Sequence, residues 1–275
     1  MRLFGHKLTF TAQIGLLIIA INIAVAVIGP YVAPYAQEDS IGDAWVPASA
    51  DYWLGLDQIG RDIFSRLLFG ARTSIGLALI ITALSFTLGI TAGFTAAVAG
   101  RWVDIMLSRF VDLMLSMPTL IFAFIVLSVL GTDIPVLIAT IAILDSTKVF
   151  RLARAVAMNI VVLDFVEAAK LRGEGLWWVI RREILPNAVP PLVAEFGLRF
   201  CFTFLFIAAL SFLGLGIQPP YADWGSMVRE YRDMITVGAA APLYPAAAIA
   251  ILTIGVNFVV DWMLAIHSKG QGEGA

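Results

Sequence analysis

Two pairs of oppositely charged side chains interrupt otherwise apolar stretches of this sequence. Glu195 and Arg199 are spaced i,i+4, and Asp145 and Lys148 are spaced i,i+3, so each pair can meet on one face of a helix. A charge in the middle of a bilayer costs about 2.5–3.5 kcal/mol on insertion scales, so such residues usually pair or face water. The pattern predicts either internal ion pairs that permit membrane insertion, or the lining of a pore for a charged or zwitterionic solute.

Other groupings with catalytic or metal-binding potential are absent from the sequence. The single cysteine, Cys201, lies in an apolar run, which excludes a disulfide framework and indicates a small buried side chain. His6 and His267 lie near opposite ends of the chain, with no Ser/His/Asp set or metal-ligand spacing around them. The chain also lacks the Gly-x-x-x-x-Gly-Lys-[Ser/Thr] phosphate loop. We therefore expect no catalytic residue, no metal site and no cofactor bound by this chain.

The composition predicts an all-α polytopic membrane protein. Of the 275 residues, 60% are hydrophobic and only 14% are charged, whereas a soluble domain is about half apolar and a quarter charged. A helix needs about 20 mostly apolar residues to cross a bilayer. Six stretches are candidate spans, of which the fourth is interrupted by its charged pair: Leu8–Ile28, Ser74–Val98, Ile105–Leu130, Ile134–Phe150, Val189–Leu215 and Ala239–Ile266.

The basic residues predict how these spans are oriented. Lys and Arg collect on the cytoplasmic side of membrane proteins. If the N-terminus is inside, eleven of them fall on that side and five outside, which favours cytoplasmic N- and C-termini. The basic start and the Ala24-Val25-Ala26 sequence are similar to a signal peptide. However, the first apolar run is longer than a signal h-region and further spans follow, so we expect a retained membrane anchor.

Two segments that are too polar to cross a membrane are predicted outside. The first, Tyr31–Arg72, ends in a stretch whose apolar residues share one helical face, which predicts an amphipathic helix on the bilayer surface or against another subunit. The second, residues 214–242, contains Pro219-Pro220 and Trp224-Gly225 and reads as a loop with one short helix. Its aromatic and charged residues indicate either a surface for a soluble partner or a solvated helix.

A third polar segment, residues 158–189, is predicted on the cytoplasmic side. Asp164 can cap a short helix, which Gly173 ends by turning the chain sharply. A second short helix follows over Leu176–Leu185, and Pro186 is expected to end it. We call residues 164–186 the knob. Its tryptophans and isoleucines predict a docking surface, or alternatively an interfacial loop whose tryptophans lie at headgroup level.

Particular motifs in these segments resemble a known family. Glu167-Ala168-Ala169, Gly173 and Ile184-Leu185-Pro186-Asn187 resemble the cytoplasmic coupling loop, the "EAA" loop, of importer-type ABC transporter permeases. Gly55–Asp62 and Ser211–Pro220 are similar to the dipeptide/oligopeptide/nickel group, specifically its second, DppC/OppC-type permease. The resemblance runs from about Tyr31 to Asp261, which is nearly the whole chain.

This resemblance implies a type I ABC importer permease with six transmembrane helices in the bacterial inner membrane. Its parts would be an N-terminal helix and periplasmic segment (1–72), a transmembrane domain (73–266) and a cytoplasmic tail (267–275). The implied partners are a second, DppB/OppB-type permease, two ABC ATPases that bind ATP and Mg, and a periplasmic solute-binding protein. The coupling-loop residues carried over are Glu167, Ala168, Ala169, Gly173, Trp177, Ile180, Ile184, Leu185 and Pro186. Among them, Ala168, Ala169, Trp177 and Ile180 are expected to be buried in the ATPase.

The sequence defines the solute less well than it defines the class of transporter. The family usually carries a tryptophan and a tyrosine before Arg151, where this chain has Asp145–Phe150. The last span usually ends in Gly-Asp-x-Leu-Arg-Asp, where this chain has only Val260-Asp261-Trp262. A di- or oligopeptide is the expected solute, with a nickel chelate, an opine or glutathione as alternatives. An ion-gradient-driven carrier would need mid-membrane carboxylates and usually internal repeats.

Overall fold

The computed structural model describes residues 2–3 and 6–272, with side chains for residues 8–266. Two two-residue strands, Arg2–Leu3 and His6–Lys7, pair antiparallel and precede the helices. Ten α-helices follow in the described residues: α1 (Phe10–Val32), α2 (Ile63–Val98), α3 (Arg101–Leu115), α4 (Thr119–Leu130), α5 (Ile134–Val161), α6 (Asp164–Leu171), α7 (Leu176–Val179), α8 (Leu185–Phe212), α9 (Trp224–Tyr231) and α10 (Leu243–Gly272). A π-helical turn, Ile180–Ile184, joins α7 to α8, and a 3₁₀ turn, Arg232–Val237, follows α9.

The prediction of a helical multi-pass membrane protein is confirmed. Within the described residues, four helical segments are long and apolar enough to cross a bilayer: Phe10–Val32, Ile63–Val98, Leu176–Phe212 and Leu243–Ile266. α3 and α4 together form a fifth candidate, which bends by 85° at the break around Pro118. α5 is not among these candidates, and four charged residues lie along it. The exact number of spans and the location of the termini stay predictions; residues 273–275 of the predicted tail lie outside the described part.

Glycines allow the longest helices to approach closely. A methyl group at Gly89 of α2 would lie 2.6 Å from the Cβ of Val149 and 2.7 Å from the carbonyl oxygen of Ser146, both in α5. Gly93, four residues on, is similarly close to the α5 backbone. Small residues at a four-residue spacing are a common way for membrane helices to pack, because van der Waals contact replaces the missing hydrophobic driving force. α2 and α5 therefore form the tightly packed centre of the bundle.

The first and last long helices pack on each other in the same way. A methyl group at Gly15 of α1 would lie 2.5 Å from the carbonyl oxygen of Gly255 in α10. α1 also contacts α2, where Gly29 faces Leu68. The N-terminal helix is therefore part of the bundle, while its retention as a membrane anchor stays a prediction.

The prediction of a separate surface helix at the end of the Tyr31–Arg72 segment, over residues 57–68, is wrong. Asp62 caps α2 by accepting a hydrogen bond from the Ser65 N–H at 2.7 Å, and the helix then runs without interruption through residue 98. Its first turns bury the polar residues Ser65 and Arg66 beside Ile63. The polar face is buried because residues of other segments supply its partners, which a helical-face analysis of one segment cannot detect.

The prediction that Pro186 ends the second knob helix is also wrong. The π-helical turn leads directly into α8, and Pro186 lies in the first turn of that helix, where a missing N–H is tolerated. Pro190 and Pro191 follow within the same helix. The second knob helix and α8 therefore make one continuous helical segment from Leu176 to Phe212.

The close approach of α2 and α5 can be tested by adding a methyl group. Gly89→Ala should destabilise the protein by about 1–3 kcal/mol, because the methyl group overlaps the α5 backbone and forces the helices apart. Gly76→Ala is the matched control, since nothing lies within 4 Å of the added methyl group in the same helix. Thermal unfolding of the two purified variants in detergent measures the difference. Equal unfolding temperatures would contradict the packing described here.

Candidate functional site

The knob contains the predicted pair of short helices around a glycine. α6 begins at Asp164, with Leu163 in the capping position, so Asp164 lies in the first turn and is not the cap. Gly173 has a φ of +83°, which favours glycine. Its N–H bonds the Lys170 carbonyl at 2.9 Å, and the Glu174 N–H bonds the Ala169 carbonyl at 3.3 Å. This pair of hydrogen bonds is a Schellman motif, which ends α6 and reverses the chain into α7.

The knob has a buried side and an exposed side. Ala169, Ile180 and Ile184 are buried in an apolar cluster that also contains Phe94 of α2 and Ala157 of α5. The expectation that Ala169 and Ile180 contact an ATPase is therefore wrong, because this chain already covers them. The buried side fastens the knob to the helix bundle, so the knob can move with the bundle as one body.

The exposed side of the knob combines aromatic, apolar and charged groups. The exposed members of the predicted coupling set are Glu167, Ala168, Gly173, Trp177, Leu185 and Pro186. An open depression of about 730 Å³ lies beside them, lined by Trp177, Trp178, Arg181, Arg182, Leu185 and Pro186. The guanidinium of Arg172 lies 5.8 Å from the centre of the Trp178 ring, within cation–π range. An exposed aromatic surface with basic residues is suited to docking another protein.

The four predicted pore residues come together between α5 and α8. Both predicted pairs are present: Lys148 Nζ lies 3.6 Å from Asp145 Oδ1, and Arg199 Nε is bonded to Glu195 Oε1. Arg199 Nη1 also lies 3.8 Å from Asp145 Oδ1 and joins the two pairs. We call these four residues the charge cluster. Its two cations and two carboxylates balance, which satisfies the need to neutralise charge within a membrane.

The charge cluster borders a small cavity of about 100 Å³. Thr203 of α8 lies beside the cluster, with its hydroxyl 3.5 Å from Asp145 Oδ2. The remaining walls are apolar apart from Thr119 at the start of α4: Ile141, Leu144, Phe202 and Phe206. The cavity therefore has one charged wall and one aromatic wall, and it lies where the break between α3 and α4 leaves room.

A second buried ion network, which the sequence did not predict, lies at the start of α2. Asp57 accepts hydrogen bonds from Arg61 and from Arg66, each at 2.7 Å. Oε2 of Glu230 in α9 lies 2.8 Å from Arg61 Nη2 and 3.1 Å from Arg66 Nη2. We call these four residues the ion clamp. Asp57 and the two arginines lie in or just after the Gly55–Asp62 motif, but nothing in one sequence indicates a partner 169 residues further on.

Burial dominates the electrostatics of the ion clamp. Burial raises the pKa of the Asp57 carboxyl, and the hydrogen bond from the Ile59 N–H and the charge on Arg66 lower it by less. Burial also raises the pKa of Glu230, against the opposing charge on Arg66. Desolvation thus outweighs ion pairing, so the clamp contributes a defined geometry more than net stability, while loss of one partner leaves an unpaired buried charge.

Further contacts join the first turns of α2 to the α9 region. Ser74 donates to the Asp223 carboxylate at 2.7 Å, and the Trp224 indole N–H donates to the Leu67 carbonyl at 3.0 Å. Trp224 and Tyr231 are buried. The short helix predicted in residues 214–242 is present, but these two aromatic residues pack inside the chain and are not available to a soluble partner.

Comparison with known proteins decides the family. Residues 85–272 match the family described as binding-protein-dependent transport system inner membrane component. This match covers the charge cluster, the knob and α9. The chain belongs to this family. It is a permease subunit of a binding-protein-dependent importer, which is inconsistent with the alternative of an ion-gradient-driven carrier.

Individual relatives of this permease carry peptide-related names. The dipeptide transport system permease protein DppC of Alkalihalophilus pseudofirmus is 33% identical over 252 residues, covering 91% of this chain and 83% of the relative. The glutathione transport system permease protein GsiD of Pectobacterium atrosepticum is 31% identical, covering 89% and 82%. A probable D,D-dipeptide transport system permease protein, DdpC of Escherichia coli, is 33% identical, covering 94% and 86%. The predicted resemblance to the DppC-type permeases is confirmed.

A solved structure supports the fold of the permease. It is described as the crystal structure of an amino acid ABC transporter with histidines, and it aligns with a TM-score of 0.53 at 18% sequence identity. The alignment covers 71% of this permease and 91% of that chain. At this identity the likeness shows the common fold alone.

The ion clamp gives a prediction about the stability of the permease. Glu230→Gln should lower the free energy of unfolding by about 3–5 kcal/mol, because two buried arginines would share the single carboxylate of Asp57. Asp233→Asn is the matched control in the next turn: its side chain is 89% exposed and pairs only loosely with Arg232, so no measurable change is expected. Thermal unfolding in detergent measures both, and an unchanged transition for Glu230→Gln would overturn the interpretation.

Proposed function

We propose that this permease is one of the two translocation subunits of an importer for di- or oligopeptides in the bacterial inner membrane. The observation that carries this proposal is the 33% identity, over 91% of the chain, to a permease named for dipeptide transport. The second translocation subunit would be a DppB/OppB-type permease. Two ABC ATPases and a periplasmic peptide-binding protein complete the assembly. Glutathione is the second candidate solute, since a relative at 31% identity is named for its transport.

The permease would use the ATP hydrolysis of its partners, which hold ATP and Mg. The exposed residues of the knob, including Glu167 and Trp177, would dock into an ATPase, with Glu167 offering a carboxylate to a basic partner residue. To switch a two-state equilibrium from 1:99 to 99:1 needs about 5.5 kcal/mol of differential binding, which one exposed contact does not supply. A docking surface backed by a buried apolar cluster can deliver it, because the knob and the bundle would move together.

The proposed topology has six spans, with both termini in the cytoplasm. α5 would be the fourth span, and pairing of its charged residues permits this. Residues 1–72 would supply the first span and a periplasmic segment, residues 73–266 the transmembrane domain, and residues 267–275 a cytoplasmic tail. The excess of Lys and Arg on the knob side supports this orientation.

The peptide assignment can be tested with the assembled complex in lipid. The permease, its sibling permease and the ATPases are co-expressed from adjoining genes and supplied with their binding protein. We expect ATP hydrolysis to be stimulated by dipeptides and short oligopeptides, because the loaded binding protein favours the catalytic state of the assembly. Stimulation by glutathione alone would move the solute to the second candidate. Failure of every solute to stimulate a correctly assembled complex would contradict the proposal.

The turn at Gly173 provides a test of the coupling role. Gly173→Ser should reduce peptide uptake about tenfold, because a side chain at positive φ costs about 1–2 kcal/mol and distorts the knob. Gly175→Ser is the matched control, since Gly175 has a φ of −72°, caps α7, and has open space around it. Uptake is measured in proteoliposomes alongside recovery of the complex. Equal uptake by the two variants would show that the geometry of the turn does not matter for coupling.

A further inference from the structure

The charge cluster lies close to the middle of the membrane-spanning part of the fold. Asp145 is eleven residues from the first residue of α5, which corresponds to about 17 Å along the helix axis. On α8, Arg199 is thirteen residues from the last residue of the helix, or about 20 Å. The hydrocarbon core of a bilayer is about 30 Å thick, so helices that enter it at these ends place both residues inside it, slightly past its midplane.

The accessible part of the charge cluster is positive. Three of the four side chains are largely covered, with 8% exposure for Asp145 and 17% each for Glu195 and Arg199, whereas that of Lys148 is 35% exposed. The Lys148 ammonium has three N–H donors, and its nearest carboxylate oxygen, at 3.6 Å, is beyond an ordinary hydrogen bond. Asp145 also lines the cavity, but its carboxylate is engaged by Arg199 and Thr203, so a ligand that enters meets the Lys148 ammonium as the accessible charge.

This face of α5 and α8 is not suited to lipid. An ammonium exposed to hydrocarbon at the midplane costs about 2.5–3.5 kcal/mol, so the exposed side of Lys148 must meet water or protein. Phe202 is exposed next to it, and the Arg199 guanidinium lies 5.5 Å from the centre of the Phe202 ring. The cavity thus offers the Lys148 ammonium beside the aromatic rings of Phe202 and Phe206, which matches one end of a peptide: a carboxylate with an adjacent side chain.

We propose that the charge cluster binds the C-terminal carboxylate of the peptide in transit. Lys148 holds the carboxylate, and Phe202 and Phe206 contact the adjacent side chain. Arg199 stays paired with Glu195 and Asp145 behind the cavity. The cavity of about 100 Å³ admits a group of this size and not a whole peptide, so the remainder of the peptide lies in the path shared with the second permease. Asp145 keeps the two cations in place between peptides. This inference rests on the proposed function, since it requires a peptide solute.

Binding of a matched pair of peptides to the assembled complex tests this role. The complex, without its binding protein, is placed in nanodiscs and titrated with dialanine and with dialanine amide, which lacks the terminal carboxylate. We expect dialanine to bind at least ten times more tightly than the amide, and Lys148→Gln to remove this difference. Arg151→Gln is the matched control: Arg151 lies one turn further along α5 and is paired with Asp112 at 2.8 Å, away from the cavity. It should leave the preference unchanged.

A conservative variant separates charge from folding. Lys148→Arg retains the cation and should retain the preference for dialanine, and an unchanged thermal transition of Lys148→Gln excludes misfolding as the cause. Equal binding of both peptides to the original complex, no binding of either, or a preference that survives Lys148→Gln would each overturn the inference. The proposed function fails separately, when no peptide stimulates ATP hydrolysis by the complex with its binding protein.

Discussion

The interior of a bilayer offers no hydrogen-bond partner to a charged side chain, and each of the four charged residues of α5 has an oppositely charged neighbour within the bundle. Arg151 and Arg154 pair with Asp112 and Asp104 of α3, and the remaining two charges of α5 belong to the charge cluster with α8. These ion pairs join α5 to α3 and α8, while the glycine contacts join it to α2. The cavity lies between α5 and α8, beside the start of α4.

The packing of α2 against α5 links the two ends of the permease. Gly89 and Gly93 bring the helix backbones together, and Phe94, the residue after Gly93, belongs to the apolar cluster that covers the buried side of the knob. At its other end, α2 contributes Arg66 to the ion clamp and thereby contacts α9. One helix thus touches the knob region and the α9 region. Movement of α2 as a rigid body would therefore shift the knob region and the α9 region together.

Local features of the fold were predictable from the sequence, and features that depend on distant residues were not. The turn at Gly173 and the short helix at Trp224 follow from local chemistry, and both are present. The burial of Arg66 in the first turns of α2 involves Glu230, a partner far along the chain, and so could not be predicted. Pro186 was misread because a proline in the first turn of a new helix and a proline that ends the previous one look alike in sequence. At the candidate site, residue spacing alone predicted both ion pairs of the charge cluster. It did not predict that Arg199 also contacts Asp145 and so joins the two pairs.

The continuous helical segment from Leu176 to Phe212 connects the knob directly to the charge cluster. Trp177 lies on the exposed side of the knob, and Arg199 lies 22 residues further along the same segment, or about 33 Å of helix. A tilt of only about 5° about the knob would displace Arg199 by about 3 Å, comparable with its present 3.8 Å distance from Asp145. Tilting of this segment would then weaken binding of the solute at the charge cluster, so release of the solute and movement of the helix would occur together.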